Sequence, residues 1–307
     1  MISYKKLFLM MEEKEISKEK LKNEIGISSA TMAKLSKNEE VSMSTVQSLC
    51  KYFDCQPGAI LSYEKEIDEN SILFKLRDEQ SIKLKGGLYH QTQVRLAYNS
   101  NHMEGSRLTE EQTRSIYETQ TIGVTEGNEK IDDIIETVNH FRCFDYILSV
   151  ADKDLSEDIL KHIHLILKSG TTDSQKDWFA VGEYKKKPNM IGDMVETTHP
   201  SKVAHEIRQL LKDYREIGNV TFEDIIDFHY RFEKIHPFQD GNGRVGRLIM
   251  FKECLKYNIP PFIIEDVSKD YYRRGLKEYV NEKGYLVDTC RAAQDVYKKL
   301  LQYFEYI

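Results

Sequence analysis

His236-Pro237-Phe238-Gln239-Asp240-Gly241-Asn242-Gly243-Arg244-Val245-Gly246-Arg247 is the stretch on which the reading of this chain turns. Upstream of it, Thr221 to Ile235 reads as a helix, with Phe222, Ile225, Ile226 and Phe228 at roughly helical spacing. Pro237 pushes His236 out of the α region, so that helix ends there. Gly241-Asn242-Gly243 gives a tight turn. A second helix follows, with Val245, Leu248, Ile249, Phe251 and Leu255 as its buried stripe. Arg244 and Arg247 lie three residues apart and share one face. The object predicted is a helix–loop–helix nest for an anion.

The residue types fit a nucleoside triphosphate. Glycine lets backbone N–H groups approach a phosphate closely. A helix N-terminus carries partial positive charge. Guanidinium groups grip phosphate oxygens with two hydrogen bonds. A carboxylate, here Asp240, holds Mg²⁺. Neutral His236 at the front is a base suited to pH near 7. Phe238 reads as an apolar anchor for the loop.

The run resembles the signature of the Fic (filamentation induced by cAMP) family, His-Pro-Phe-x-(Asp/Glu)-Gly-Asn-Gly-Arg-x-x-Arg, at every fixed position. The resemblance implies an all-α core, with ATP as substrate and AMP transferred to a Ser, Thr or Tyr hydroxyl of a target protein or of the chain itself. It implies His236 as the base and Asp240 as the Mg²⁺ ligand. Gly241, Asn242 and Gly243 would form the anion hole. Arg244 would contact the phosphates and Arg247 would grip the γ-phosphate.

A second motif lies upstream, in Tyr98-Asn99-Ser100-Asn101-His102-Met103-Glu104-Gly105. Ser100, Glu104 and Gly105 match the family's inhibitory pattern, (Ser/Thr)-x-x-x-Glu-(Gly/Asn). By resemblance, Glu104 pairs with Arg247 and denies it to the γ-phosphate. A bidentate arginine–carboxylate pair competes well in a site built for an anion. Gly105 suits a helix C-terminus.

Between the motifs, Val181 to Pro200 contains Pro188-Asn189 and Gly192-Asp193 turn signals flanked by apolar and β-branched residues. It reads as a short β-hairpin, in the place of the family's flap, whose strand edge would receive the target segment. Lys185 to Lys187 reads as a solvated face. Tyr272 and Asn281, in Asp270–Lys283, fall where the family lines its adenine pocket.

The chain has 307 residues, enough for two domains and a sizeable core. A net charge of −6 makes no general case for nucleic acid. No apolar run spans a bilayer, so no membrane partner is expected. The patch Leu7–Met11 runs into Glu12-Glu13 without a cleavage-like site, so no secretory leader is expected. Five scattered cysteines read as reduced thiols of a cytoplasmic protein.

Residues 1–64 have another pattern. Ser17 caps a helix Lys18–Ile25, Ser28 caps Ser29–Ser36, and a third helix spans Ser44–Phe53. The segment resembles a Cro/repressor-type helix–turn–helix module. That would make Ser29, Thr31, Lys34 and Lys37 its DNA-facing residues. Residues 1–64 hold nine Lys and nine Asp plus Glu, so the module has no net charge. DNA binding and a packing or partner-binding role both remain open.

The expected organisation is a helix–turn–helix domain at 1–64, a connector at 65–87, and an all-α Fic domain at 88–307. Helices are predicted at Tyr89–Met103, Glu110–Gln120, Ile131–Val150, Ser156–Lys168, Val203–Ile217, Phe222–Lys234, Asn242–Lys256, Lys269–Glu282 and Asp288–Glu305. The leading function is an autoinhibited adenylyltransferase. Two alternatives stand: AMP removal with Glu104 acting on water, and a transcriptional regulator that senses nucleotide. The resemblance also allows a homodimer, which no sequence feature specifies.

Overall fold

The computed structural model describes residues 2–63, 68–123, 129–191 and 195–307. The chain divides into two units, Met1–Asp68 and Glu69–Ile307.

In the first unit, helices α1 (Lys5–Glu13), α2 (Lys18–Ile25), α3 (Ser29–Ser36), α4 (Met43–Phe53) and α5 (Pro57–Ile60) surround one small core. Leu7, Met11, Leu21, Met32, Leu35, Val46, Leu49 and Ile60 fill it. Ser17, Ser28 and Ser42 each accept a first-turn N–H at the start of α2, α3 and α4. Gly26 closes α2 at φ +69°, a left-handed turn that glycine adopts without a Cβ penalty. Helix α1 replaces the plain apolar patch expected at Leu7–Met11. Leu7 and Met11 are one turn apart and both reach the core. A two-residue strand, β1 (Ile2–Ser3), pairs antiparallel with β2 (Ser62–Tyr63).

The second unit is helical apart from one hairpin: α6 (Ile72–Ser81), α7 (Leu88–Met103), α8 (Glu110–Thr119), α9 (Ile131–Ser149), α10 (Glu157–Lys168), β3 (Met190–Ile191), β4 (Val195–Glu196), α11 (Pro200–Arg215), α12 (Phe222–Ile235), α13 (Asn242–Lys256), α14 (Lys269–Glu278) and α15 (Gly284–Tyr303). The all-α class expected from sequence is observed. The stretch read as a connector contains α6, whose Ile72, Leu73 and Leu76 are buried in the large core. The connector's residues 64–67 lie outside the described residues. α14 ends four residues earlier than expected, and α15 starts at Gly284 rather than Asp288.

α13 sits at the centre, packed against α12, α9, α10, α7 and α6. Nearly every residue of it is buried, including Arg244, Arg247, Lys252 and Glu253. A helix buried all round must find partners for its polar side chains, and those partners define the site. β3 and β4 pair antiparallel, Met190 opposite Glu196 and Ile191 opposite Val195. The turn expected at Gly192–Asp193 lies outside the described residues.

Candidate active site

The site grows from the α12–α13 corner. A capping box between Thr221 and Asp224 starts α12. His236 ends it in the left-handed conformation, φ 52°, and donates its backbone N–H to Phe232 O at 2.9 Å. This is a strained place for a non-glycine residue. Phe238 is fully buried and stacks on His164 with ring centres 4.1 Å apart. It anchors the loop, as expected.

Gly241, at φ +80°, precedes the first residue of α13. The first-turn N–H groups of Asn242, Gly243 and Arg244 have no partner in helix geometry and form the positive end of α13. The Asn242 side chain points the other way. Its Oδ1 accepts from Phe238 N at 2.8 Å and its Nδ2 donates to Phe238 O at 2.9 Å. Asn242 therefore clamps the loop, and only its backbone is available to an anion.

Arg247 is held by the end of α7. Its Nε donates to Ser100 Oγ at 3.0 Å, and its Nη2 donates to Ser100 O at 2.9 Å and to Glu104 Oε1 at 2.7 Å. Burial pushes the Glu104 carboxyl up, but Arg247 and Arg244 outweigh it and hold it below the usual range. Gly105 follows at φ +97°, reversing the chain after Glu104. A Cβ at Gly243 would stand 2.3 Å from Glu104 Oε1, so that glycine makes room for the carboxylate.

Arg244 Nη1 pairs with Glu136 and its Nη2 with Asp240 Oδ2 at 3.0 Å. Lys168 Nζ lies 2.8 Å from Asp240 Oδ2, 2.5 Å from Glu136 and 3.0 Å from Asp173. Desolvation would raise the Asp240 carboxyl, yet Arg244 and Lys168 hold it well below the ordinary carboxylate range. An anionic oxygen so firmly ionised fits a hard divalent cation. Mg²⁺ commonly takes one or two carboxylates and completes its shell with water and phosphate oxygens. Among the described residues no group of three or more His, Cys, Asp or Glu could hold a metal alone.

Burial lowers the His236 imidazole to about 4, helped by the Lys185 charge. It is therefore neutral at physiological pH. Beside it, 3.9 Å from Nδ1, is Glu233, which burial raises to about 8 against the pull of Arg247. His140 is fully buried and neither ring nitrogen has a hydrogen-bond partner among the described residues. Burial, with Arg247 and Arg244 nearby, keeps it neutral down to about 3.

The structure thus brings His236, Asp240, Gly241, Gly243, Arg244, Arg247, Ser100 and Glu104 together. Tyr272 is buried, its hydroxyl sharing a 2.6 Å hydrogen bond with His229 Nε2. Asn281 lies exposed in the turn after α14. Glu136, His140 and Lys168 were not legible in sequence, because they reach the site from α9 and α10, and Glu233 on α12 reads in sequence as an ordinary charged helix residue. Lys185 departs from the solvated reading: Lys186 and Lys187 are exposed, but Lys185 is buried. In the other unit, Ser29 and Lys34 are exposed on α3, and Lys37 is exposed at its C-terminal cap. Thr31 is half-buried, its hydroxyl on Ser28 Oγ at 2.9 Å.

Gly246 sets how closely α13 meets α12. A Cβ there would lie 2.7 Å from His229 and 2.8 Å from Glu233 Oε1. Gly246→Ala is expected to destabilise the second unit by about 1–3 kcal/mol through overpacking. Urea unfolding checks it, and an unchanged midpoint would contradict this close approach.

Residues 154–254 match the Fic/DOC family, and residues 6–66 match the Cro/C1-type HTH DNA-binding domain. Along the sequence, the segment similar to the Fic/DOC family follows the segment similar to the Cro/C1-type helix–turn–helix domain. It is 27% identical over 199 residues to a protein adenylyltransferase Fic of Nematostella vectensis, covering 61% of this chain and 42% of that protein. It is 28% identical over 186 residues to the protein of the same name from Drosophila melanogaster, covering 59% and 36%. The chain therefore spans about two fifths of the length of these relatives. A Fic domain containing signaling protein from Bacteroides thetaiotaomicron has the same fold, with TM-score 0.56 and 26% identity, over 75% of this chain and 90% of that one. Fic-1 from C. elegans, at TM-score 0.59 and 18% identity over 76% and 71%, shares the fold. No helix among the described residues is long and apolar enough to cross a membrane.

Proposed function

We propose that the chain is an autoinhibited protein adenylyltransferase, moving AMP from ATP to a protein hydroxyl. The observation that carries this is the Arg247–Glu104 pair, set beside the α13 N-terminus with neutral His236 at its mouth. The names of the relatives support the direction.

In this reading His236 takes the proton of the acceptor hydroxyl. The acceptor oxygen forms a bond to the α-phosphorus as the bond to pyrophosphate breaks. The α13 N–H groups and Arg244 stabilise the charge that develops. Arg247 holds the γ-phosphate once Glu104 leaves it. Asp240 would hold Mg²⁺, which neutralises phosphate charge when bound. With Asp240 engaged in that way, Lys168 would still have its ion pairs to Glu136 and Asp173. Label from the α position of ATP appearing in protein after Glu104→Gly tests the reading.

Glu104 stays ionised inside the site, which also suits it to draw a proton from water and remove AMP from a modified hydroxyl. We assign the reduced cytoplasm as the compartment, since Cys143, Cys254 and Cys290 are buried free thiols. We assign α3 as the DNA-facing element. Lys34→Glu is expected to weaken binding to duplex DNA in a salt-dependent way, measured by fluorescence anisotropy. Unchanged affinity would remove α3 from that role.

A further inference from the structure

Among the described residues, Lys185 is a buried cation beside the catalytic loop without an acidic partner. It is 2% exposed, and among the described residues no carboxylate pairs with it. A buried ammonium needs hydrogen bonds in place of water. Its Nζ donates to Asn189 Oδ1 at 2.7 Å and to Thr197 Oγ1 at 2.6 Å. Those two residues flank the hairpin: Asn189 directly precedes β3 and Thr197 directly follows β4. Thr197 Oγ1 also lies 2.8 Å from Asn189 O. One ammonium therefore ties both legs of the hairpin at its base.

The same residues grip the catalytic loop. Lys185 N donates to Pro237 O at 2.9 Å, next to His236. Asn189 Nδ2 donates to Phe238 O at 3.0 Å and to Gln239 O at 3.3 Å. Hairpin and loop share one polar network: Lys185 joins the loop through its backbone N–H and the hairpin through its ammonium, and that ammonium orients Asn189, which also grips the loop.

We propose that Lys185 is a positioning residue, fastening the base of the β3–β4 hairpin to the His236–Asp240 loop so that the acceptor segment and the base stay in register. This rests on the adenylyltransferase reading. Lys185 acts on the acceptor side, through the hairpin, and leaves the triphosphate grip to α13. Loss of the ammonium lets the strand edge drift from His236 while ATP still binds. Drift of about 1 Å costs about 100-fold in a step that depends on orientation.

The test uses the full chain with Glu104→Gly, with its own hydroxyls as protein acceptor and water as the competing one. Three quantities are read: α-label in the chain, labelled AMP released, and the affinity for a fluorescent ATP analogue. Lys185→Met is expected to lower labelling of the chain by about 10- to 100-fold. Analogue affinity should change less than about twofold, and released AMP should fall less than labelling. Lys185→Arg should restore part of the labelling. Thr197→Val, which removes one acceptor, should shift labelling the same way by less, and serves if Lys185→Met lowers the melting temperature. Hydrogen exchange across residues 185–191 should rise in Lys185→Met. Labelling unchanged in Lys185→Met, or analogue affinity falling in step with labelling, would overturn the positioning role. No α-label with Glu104→Gly alone would overturn the parent reading, and this one with it.

Discussion

Glu104→Gly is expected to raise α-phosphate transfer to protein by about 10- to 100-fold over the unaltered chain. The Arg247–Glu104 hydrogen bond is charge-assisted and spans 2.7 Å. Such a bond contributes about 1.5–3 kcal/mol, which sets the scale of the competition that a γ-phosphate must win. Arg247 does not collapse when Glu104 goes. Its Nε and Nη2 still donate to Ser100 Oγ and Ser100 O, so the guanidinium keeps its aim. What it loses is its anionic partner. The variant should therefore be less stable without ligand, because a buried cation is left uncompensated. ATP should restore that stability and ADP should restore less, since only ATP brings the γ-phosphate. Thermal melting with each nucleotide checks this. Equal shifts from ATP and ADP would detach Arg247 from the γ-phosphate.

His236→Ala, introduced beside Glu104→Gly, is expected to lower transfer by about 10²–10⁴-fold, the usual contribution of one positioned base. The imidazole is placed by a left-handed residue at the end of α12 and is neutral above about 4. The sign follows from that lowered value. The neutral, proton-accepting form is present through pH 6–8 and is lost only as pH falls toward about 4. Transfer should therefore show no His236 limb near the ordinary histidine range. An acid limb centred near pH 6.5 would mean that the base lies in water rather than in this pocket. Nucleotide affinity should hardly change in His236→Ala if, as proposed, the α13 N-terminus and the arginines hold the triphosphate.

The signature loop was legible because its chemistry is local. Proline, glycines and arginines at fixed spacing dictate a corner, a turn and a shared helical face without help from the rest of the chain. The long amphipathic helices were legible for the same reason, since a regular apolar stripe needs no tertiary context. The misses have physical causes. α1 has charged residues at both ends and α6 through its second half, which dilutes the period. Gly284 hid the start of α15, where glycine reads as a stop. Lys168, Glu136 and Glu233 became visible only in three dimensions, because an ion cluster built from several helices leaves no spacing pattern. Lys185 was masked by its neighbours: Lys185-Lys186-Lys187 looks like a solvated run, yet the backbone turns one of the three inward. Asn242 matched its motif position, but sequence could not show that its side chain is spent on the Phe238 backbone. Tyr272 and Asn281 rest on resemblance alone: Tyr272 is buried against His229 and beside Arg247, and Asn281 is exposed in the turn after α14.

Restraint of AMP transfer by Glu104 at a His236-based site can be measured directly. The measurement follows label from α-labelled and γ-labelled ATP into protein, comparing the unaltered chain, Glu104→Gly, and Glu104→Gly with His236→Ala, each with a cell lysate as added acceptor. Label from the α position only is expected, strong with Glu104→Gly and lost with His236→Ala. Label from the γ position, or no α-label in any of the three, would contradict it.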